Sequence, residues 1–352
     1  MKPIWQNLGL CLALILALNG VDYAQLINAF DDGKTRYLLL SLVPISFIFV
    51  TKRLGWAPAL VSALALFSWV VHDYKPSHDT VLPIISIFAC LGLASAVVYL
   101  GERLFGNILI ASGLVQGVIA LLQWARAIGV LPFGFPHHEL PDGLIGNSTL
   151  LAPFLVICLA PAIWRGIWWA VIPIAAAVLA CHSVGGLVCL TALLLLRFGI
   201  FIPFAAAMLY PLGLYFGVCH LYGRSLIDSD GRYFMWSFGW RAIREHFWFG
   251  SGIGAWENIY LPRFQNELLE SFHYHLPRAL HNDYIDFAIE YGCAPLCALF
   301  VGLIAWLRKF RPTWPHAVCA TTMVDACFSF PAPQIYMAVP FLVCWKFSED
   351  AA

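Results

Sequence analysis

The sequence predicts an all-α, polytopic transmembrane bundle of about twelve spans with one large external loop. Two observations carry that prediction. Of 352 residues, 61% are hydrophobic and only 11% charged, against about 25% charged in an ordinary soluble domain, and the mean hydropathy is +0.78. The apolar residues also fall into repeated runs of the length that crosses a bilayer, about 20 residues or a little fewer.

Read between charged or Pro/Gly-rich breaks, the runs lie near 3–20, 35–51, 54–72, 81–100, 104–124, 148–164, 166–182, 184–198, 200–220, 284–307, 315–331 and 333–347. The last two are short and separated by Phe330-Pro331-Ala332-Pro333, so eleven spans with a re-entrant segment is an alternative. The first run follows Lys2 as a signal peptide would, but Leu16-Ala17-Leu18-Asn19-Gly20 is a poor small-residue cleavage site, which favours a retained helix. The chain thus divides into N-terminal membrane helices over 1–220, a large extracytoplasmic loop over 221–283 and C-terminal membrane helices over 284–352.

Orientation follows from Lys and Arg in the short loops, because positive charge stays in the cytoplasm. With the N-terminus inside, the cytoplasmic loops and ends carry Lys2, Lys52, Arg53, Arg103, Arg165, Arg197, Arg308, Lys309, Arg311 and Lys346. The opposite short loops carry only Lys34, Arg36, Lys75 and Arg126. The 221–283 loop is therefore external, and it concentrates polarity: six arginines and seven acids lie in this one segment. Zero formal net charge and a pI near 7.1 exclude a nucleic-acid partner, which would need a basic face. None of the eleven cysteines falls in the loop, and residues such as Cys11, Cys90, Cys158, Cys189, Cys297 and Cys327 sit in apolar runs, as small buried side chains do.

Every basic residue of the loop is Arg: Arg224, Arg232, Arg241, Arg244, Arg263 and Arg278. Guanidinium is a planar fork that binds phosphate oxygens in pairs and stays charged at any working pH, so an all-Arg set suits a phosphate or diphosphate ligand. The competing reading pairs these arginines with local acids or lipid headgroups. Arg232, Trp236 and Trp240 recur every fourth residue, the pattern of an interfacial helix. Gly250, Gly252 and Gly254 alternate, either to bring N–H groups close to an anion or simply to turn the chain. They match neither a dinucleotide fingerprint nor a P-loop.

The strongest local feature is His281-Asn282-Asp283-Tyr284-Ile285-Asp286-Phe287-Ala288-Ile289-Glu290-Tyr291-Gly292, where the loop returns to the membrane. At about 100° per residue, Asp283, Asp286 and Glu290 share one helix face. Carboxylates in a span are usually paired or line a wet cavity. A histidine at its mouth can accept a proton from a hydroxyl near neutral pH. His273 with His275, and His137-His138-Glu139, are too sparse to specify a zinc site.

Taken together, Arg232-x3-Trp236, Gly250-x-Gly252-x-Gly254-x-Trp256, His281-Asn282-x-Tyr284 and Glu290-x-Gly292, in one external loop running into a late helix, resemble the O-antigen ligase/polymerase superfamily of bacterial inner-membrane glycosyltransferases. Gly146-Asn147-x3-Leu151-Ala152-x-Phe154, Pro161 and Asp325-x3-Ser329-Phe330-Pro331 extend the resemblance. It implies a glycosyltransferase-C-like helical fold, a multi-pass inner-membrane location with a periplasmic active site, and metal-independent inverting transfer without a cofactor. The implied partners are an undecaprenyl diphosphate-linked glycan donor, a lipid A-core or glycan acceptor, and membrane lipids. The implied product is lipopolysaccharide or another surface polysaccharide; a polymerase or a protein O-oligosaccharyltransferase is the alternative within the superfamily, and a membrane transporter the alternative outside it. Carried over by position, His281 is the general base or acceptor-positioning group and Arg232 engages the diphosphate. The family's Ser-Arg pair before the loop is here His182-Ser183, and Arg224 is the candidate to supply the absent guanidinium. Arg241, Arg244, Arg278, Asn282 and Glu290 complete the expected substrate-binding set.

Overall fold

The computed structural model describes residues 94, 98, 101–131, 141–198, 232–252, 254–271, 280–327, 329 and 335–350. Among them are ten α-helices and no strand. In chain order these are α1 (Gly101–Ala127), α2 (Ser148–Trp164), α3 (Trp168–Ala180), α4 (Val184–Phe198), α5 (Arg232–Glu245), α6 (Leu261–Ser271), α7 (Asp283–Tyr291), α8 (Cys293–Leu307), α9 (Trp314–Asp325) and α10 (Ile335–Asp350), with a π-helical turn, Trp256–Tyr260, leading into α6. The runs expected near 3–20, 35–51, 54–72 and 200–220 lie outside the described residues, as does all of 81–100 except Ala94 and Val98.

The helices of the first half form where the apolar runs place them. Helix α1 has Glu102 in its first turn and Arg126 in its last, each matched to the helix dipole. The Asn147 side chain caps α2 by accepting from Thr149 N–H, and α3 and α4 stay close to their expected limits. Helix α2 is the centre of the bundle: every residue from Leu151 to Ile163 is buried, and α1, α3, α4 and α9 all pack on it. Two glycines allow close approach there. A Cβ on Gly113 would overlap Cys158, and one on Gly186 would overlap Ala152, the small-residue contact that membrane helices use to pack backbones together.

The outward faces are apolar too. Val115, Val118 and Leu122 on α1, Ile172 and Leu179 on α3, and Val301, Ile304 and Leu307 on α8 are exposed, as in a bundle whose solvent is lipid. By length and composition, α1 is the described helix that can cross a membrane; α2, α3, α4 and α8 are apolar but shorter. Cationic and aromatic side chains gather at one end of this bundle. Arg165 Nη1 donates to Asn107 Oδ1 at 2.7 Å and its guanidinium lies 5.7 Å from the Trp314 ring. Arg197 covers Trp164, whose Nε1 donates to the Pro312 carbonyl.

The expected span 284–307 is instead two helices. Gly292, at φ 89°, separates α7 from α8, because the loop backbone docks into the break. Cys293 N–H donates to Phe247 O at 2.7 Å and Ala294 N–H to Trp248 O at 3.3 Å, while Ser251 and Gly252 N–H donate to the Ile289 and Glu290 carbonyls. A Cβ on Gly292 would overlap the Trp248 carbonyl, and one on Gly250 the Glu290 peptide. Similarly, the run expected over 315–331 stays helical only to Asp325, and the last helix is Ile335–Asp350. The loop has its own core, in which Met235, Phe238, Ala242 and Ile243 of α5 meet Trp256, Tyr260, Phe264 and Leu268. Ala288 and Ile289 of α7 belong to that same core.

Replacing Gly292 by Ala should therefore destabilise the protein by about 2 kcal/mol or more, through strain at positive φ and the backbone clash. Gly302→Ala, where nothing lies within 4 Å of the added Cβ, should be neutral or mildly stabilising. Thermal melts of the two variants in one detergent compare them directly.

Candidate functional site

Opposite the Arg/Trp end, two chain segments converge on the C-terminal end of α9. Asp283 N–H donates to Ala326 O at 2.9 Å, Asn282 Nδ2 donates to Cys327 O at 3.0 Å, and the Tyr284 hydroxyl donates to Met323 O at 3.0 Å. Asn282 is also the N-cap of α7, its Oδ1 accepting from Tyr284 and Ile285 N–H. His281 therefore sits one residue before a residue bonded on both sides. It is half-buried, with a left-handed backbone at φ 53°. The preceding carbonyl, of Leu280, accepts from Trp236 Nε1 at 3.0 Å, which ties α5 to the same junction.

From the other side, the start of α4 approaches. Ser183 Oγ accepts from Gly186 N–H, and a Cβ on Gly185 would stand 3.8 Å from Asp325 Oδ1 and 3.9 Å from Ser183 Oγ. Asp325 and Ser183 are buried. His182, just ahead of Ser183, is exposed and likewise left-handed, at φ 49°. Asp325 and Ser183 thus join the His281 region although the expected site did not include them. The signal was present in Asp325, an acid inside an apolar run, and in a polar His-Ser pair between two such runs.

The glycine turn is a docking element. Gly250 N–H donates to His246 O, Ser251 and Gly252 to α7 carbonyls, and Ala255 to Gly252 O. The partner of Gly254 N–H is the protein's own carboxyl group: Glu290 Oε1 accepts from it at 2.7 Å. Below the turn, the Ser251 and Tyr260 hydroxyls are hydrogen-bonded at 2.7 Å, and Tyr260 OH donates to Ala242 O. Burial raises the Tyr260 phenol above its ordinary pKa, with the Ser251 hydrogen bond opposing, so it is a neutral structural group.

The loop arginines fall into distinct environments. Arg241 meets Glu267 through both guanidinium nitrogens, at 2.7 and 3.3 Å, and lies over Phe238 and Phe264. That hydrogen bond holds the Glu267 carboxyl below its usual range. Arg263 pairs with Glu245 at 2.6 Å. Arg244 covers the exposed Trp240 ring, and Arg232 opens α5. Phe247, Trp248 and Phe249 are exposed beside this surface, as an aromatic edge at a membrane interface is. Arg224, Arg278, His137, His138, His273 and His275 lie outside the described residues; among the described residues no cluster of three or more His, Cys, Asp or Glu could hold a metal ion.

Residues 145–307 match the family model described as O-Antigen ligase. The match runs from the turn ahead of α2 to the end of α8. No curated protein sequence matches the chain.

Asn282→Ala removes the α7 cap and the bond to Cys327 and should lower stability by about 1–2 kcal/mol. It should also raise hydrogen exchange at the Tyr284 and Ile285 amides without changing exchange in α2, which mass spectrometry of the detergent-solubilised protein can resolve.

Proposed function

We propose that this chain, with its O-antigen ligase domain, transfers a glycan from an undecaprenyl diphosphate-linked donor to an acceptor hydroxyl at the periplasmic face of a bacterial inner membrane. The observation that carries the reading is the placement of His281. A histidine with an imidazole suited to proton transfer near neutral pH stands where the loop meets the bundle, fixed through Asn282 and Asp283 to the end of α9. It lies within the matched segment and at the end of the bundle away from the Arg/Trp cluster.

In this scheme the acceptor oxygen attacks the anomeric carbon from the face opposite the lipid diphosphate. The new C–O bond forms as the C–O bond to phosphate breaks, its electron pair leaves on the diphosphate, and the acceptor proton passes to a His281 ring nitrogen. Configuration at the anomeric carbon inverts. Negative charge grows on the departing diphosphate, and guanidinium groups in a partly desolvated site stabilise it more in the transition state than in the ground state. Arg232 and Arg224 take this role, with Arg244 and Arg278 as further phosphate-binding groups. Arg241, already matched to Glu267, serves to hold α5 against α6. Asn282 and Glu290 act as positioning residues, since their side chains cap α7 and hold the glycine turn. Neither metal nor cofactor enters the scheme.

The acceptor is lipid A-core or another glycan, and the product a lipopolysaccharide or related surface polysaccharide. Deletion of the gene distinguishes the superfamily's activities: lost long-chain lipopolysaccharide with polymerised lipid-linked glycan retained marks a ligase, whereas single repeat units on lipid mark a polymerase. In proteoliposomes, His281→Ala should lower the rate of diphosphate-lipid release coupled to glycan transfer by about 100-fold or more, with an unchanged melting temperature. Wild-type protein that moves solute across the vesicle but transfers no glycan would support a transporter and overturn the proposal.

A further inference from the structure

An open cavity of about 780 Å³ lies where the start of α1, the end of α2 and the start of α9 meet. Its wall includes Glu102, Arg103, Asn107, Arg165, Ile167 and Trp314. Trp314 begins α9, whereas the His281 region is bound beyond the other end of that helix, at Ala326. The cavity is therefore separate from the candidate transfer site.

Arg165 is built into the wall. Its Nη1 donates to Asn107 Oδ1 at 2.7 Å and to the Arg103 carbonyl at 3.2 Å, and its Nη2 donates to the carbonyls of Arg103 and Glu102. Its guanidinium lies 5.7 Å from the Trp314 ring, and Gly106 leaves room for it, since a Cβ there would overlap Nη2. All the acceptors are neutral, so these bonds fix the guanidinium without cancelling its charge. Arg103 is exposed, and no ion pair among the described residues engages either arginine. Two guanidiniums thus share the cavity with a single carboxylate, that of Glu102. An excess of one positive charge suits a phosphodiester, which carries one negative charge, better than a diphosphate.

One side of the cavity is apolar. Ile167 in its wall immediately precedes α3, on which Trp168, Ile172 and Leu179 are exposed. Spaced by four and then seven residues, they form one strip along the helix from the cavity. A soluble anion would leave that strip bare, whereas a ligand with phosphate at one end and hydrocarbon at the other covers both.

We propose that this cavity binds the phosphodiester of an anionic phospholipid, with Arg103 and Arg165 on the phosphate and an acyl chain along the α3 strip. The site goes beyond the transfer reaction and does not depend on it.

Native mass spectrometry of the whole chain in detergent tests this, by titration with dioleoyl phosphatidylglycerol and, separately, with zwitterionic dioleoyl phosphatidylcholine. The first phosphatidylglycerol should bind about tenfold more tightly than phosphatidylcholine. Arg103→Gln keeps the carbonyl that accepts from Arg165, so it should melt as the wild type does while binding phosphatidylglycerol about fivefold more weakly. Arg308→Gln, which removes an exposed cation outside the cavity wall, should leave that affinity unchanged. Equal binding of the two lipids overturns the proposal, as does wild-type affinity in R103Q. An equal loss in R308Q and R103Q means diffuse attraction to surface charge and overturns it as well. Glycerophosphoglycerol, the headgroup without acyl chains, should compete weakly; competition at the lipid's own concentration assigns the cavity to a soluble phosphate ester and overturns the lipid. None of these readouts involves glycan transfer, so failure here leaves the transfer reading standing.

Discussion

The site depends on how one broken helix keeps its backbone satisfied. An interruption in a membrane helix leaves N–H and C=O groups that lipid cannot bond. At Gly292 the partners come from residues 247–252: Phe247 and Trp248 carbonyls accept from the first amides of α8, and Ser251 and Gly252 amides donate to the last carbonyls of α7. The loop and the break therefore require each other. Without the break, α7 would continue the line of α8 and could not join the loop core through Ala288 and Ile289. Without the loop, the break would leave polar backbone exposed to apolar surroundings.

Charge is segregated along the same framework. One end of the bundle collects Arg165 and Arg197 over tryptophan rings, an arrangement that holds cations at a headgroup level. The other end collects hydroxyl, imidazole, amide and carboxylate groups around α9, with Ser183 and Asp325 buried. Between the ends, α2 is apolar on every side. Such a core cannot discriminate one rotation of a helix from another by polarity, so glycine contacts at Gly113 and Gly186 fix how closely α1 and α4 approach it.

What could be read from the sequence follows from the range of the forces involved. Helices α2 and α4 match their apolar runs because span length and caps such as Asn147 are local, and helical character over 232–244 shows in the spacing of Arg232, Trp236 and Trp240. The acidic stripe on α7 is equally local. The break at Gly292 was not legible: a glycine inside an apolar run is compatible with a continuous span until Trp248, far off in sequence, occupies the space a Cβ would fill. The glycine turn favoured a simple turn over an anion cradle, and the approach of Glu290 to Gly254 lay beyond what the local spacing could show. For Arg241, counting guanidiniums could not foresee that Glu267 would meet it with both oxygens. The approach of Ser183 and Asp325 to the His281 region is likewise a product of α4 packing against α9.

These contacts explain how so short an element as α7 can fix the position of the histidine ahead of it. A nine-residue helix has too few hydrogen bonds to persist alone in water, so its geometry must be imposed. Asn282 fixes its first turn and links that turn to Cys327. Glu290, in its last turn, holds Gly254 of the loop, and between them Ala288 and Ile289 anchor it in the loop core. Its two ends are thus bound to different parts of the structure, the first to the bundle helix α9 and the last to the glycine turn. His281 precedes the end bound to α9, while Leu280 ahead of it is bound to Trp236 of α5. The imidazole is consequently suspended between the bundle and the loop, so a shift of either body would move it. In the proposed transfer reaction, a lipid-linked glycan that contacts both would set the position of the imidazole as it binds.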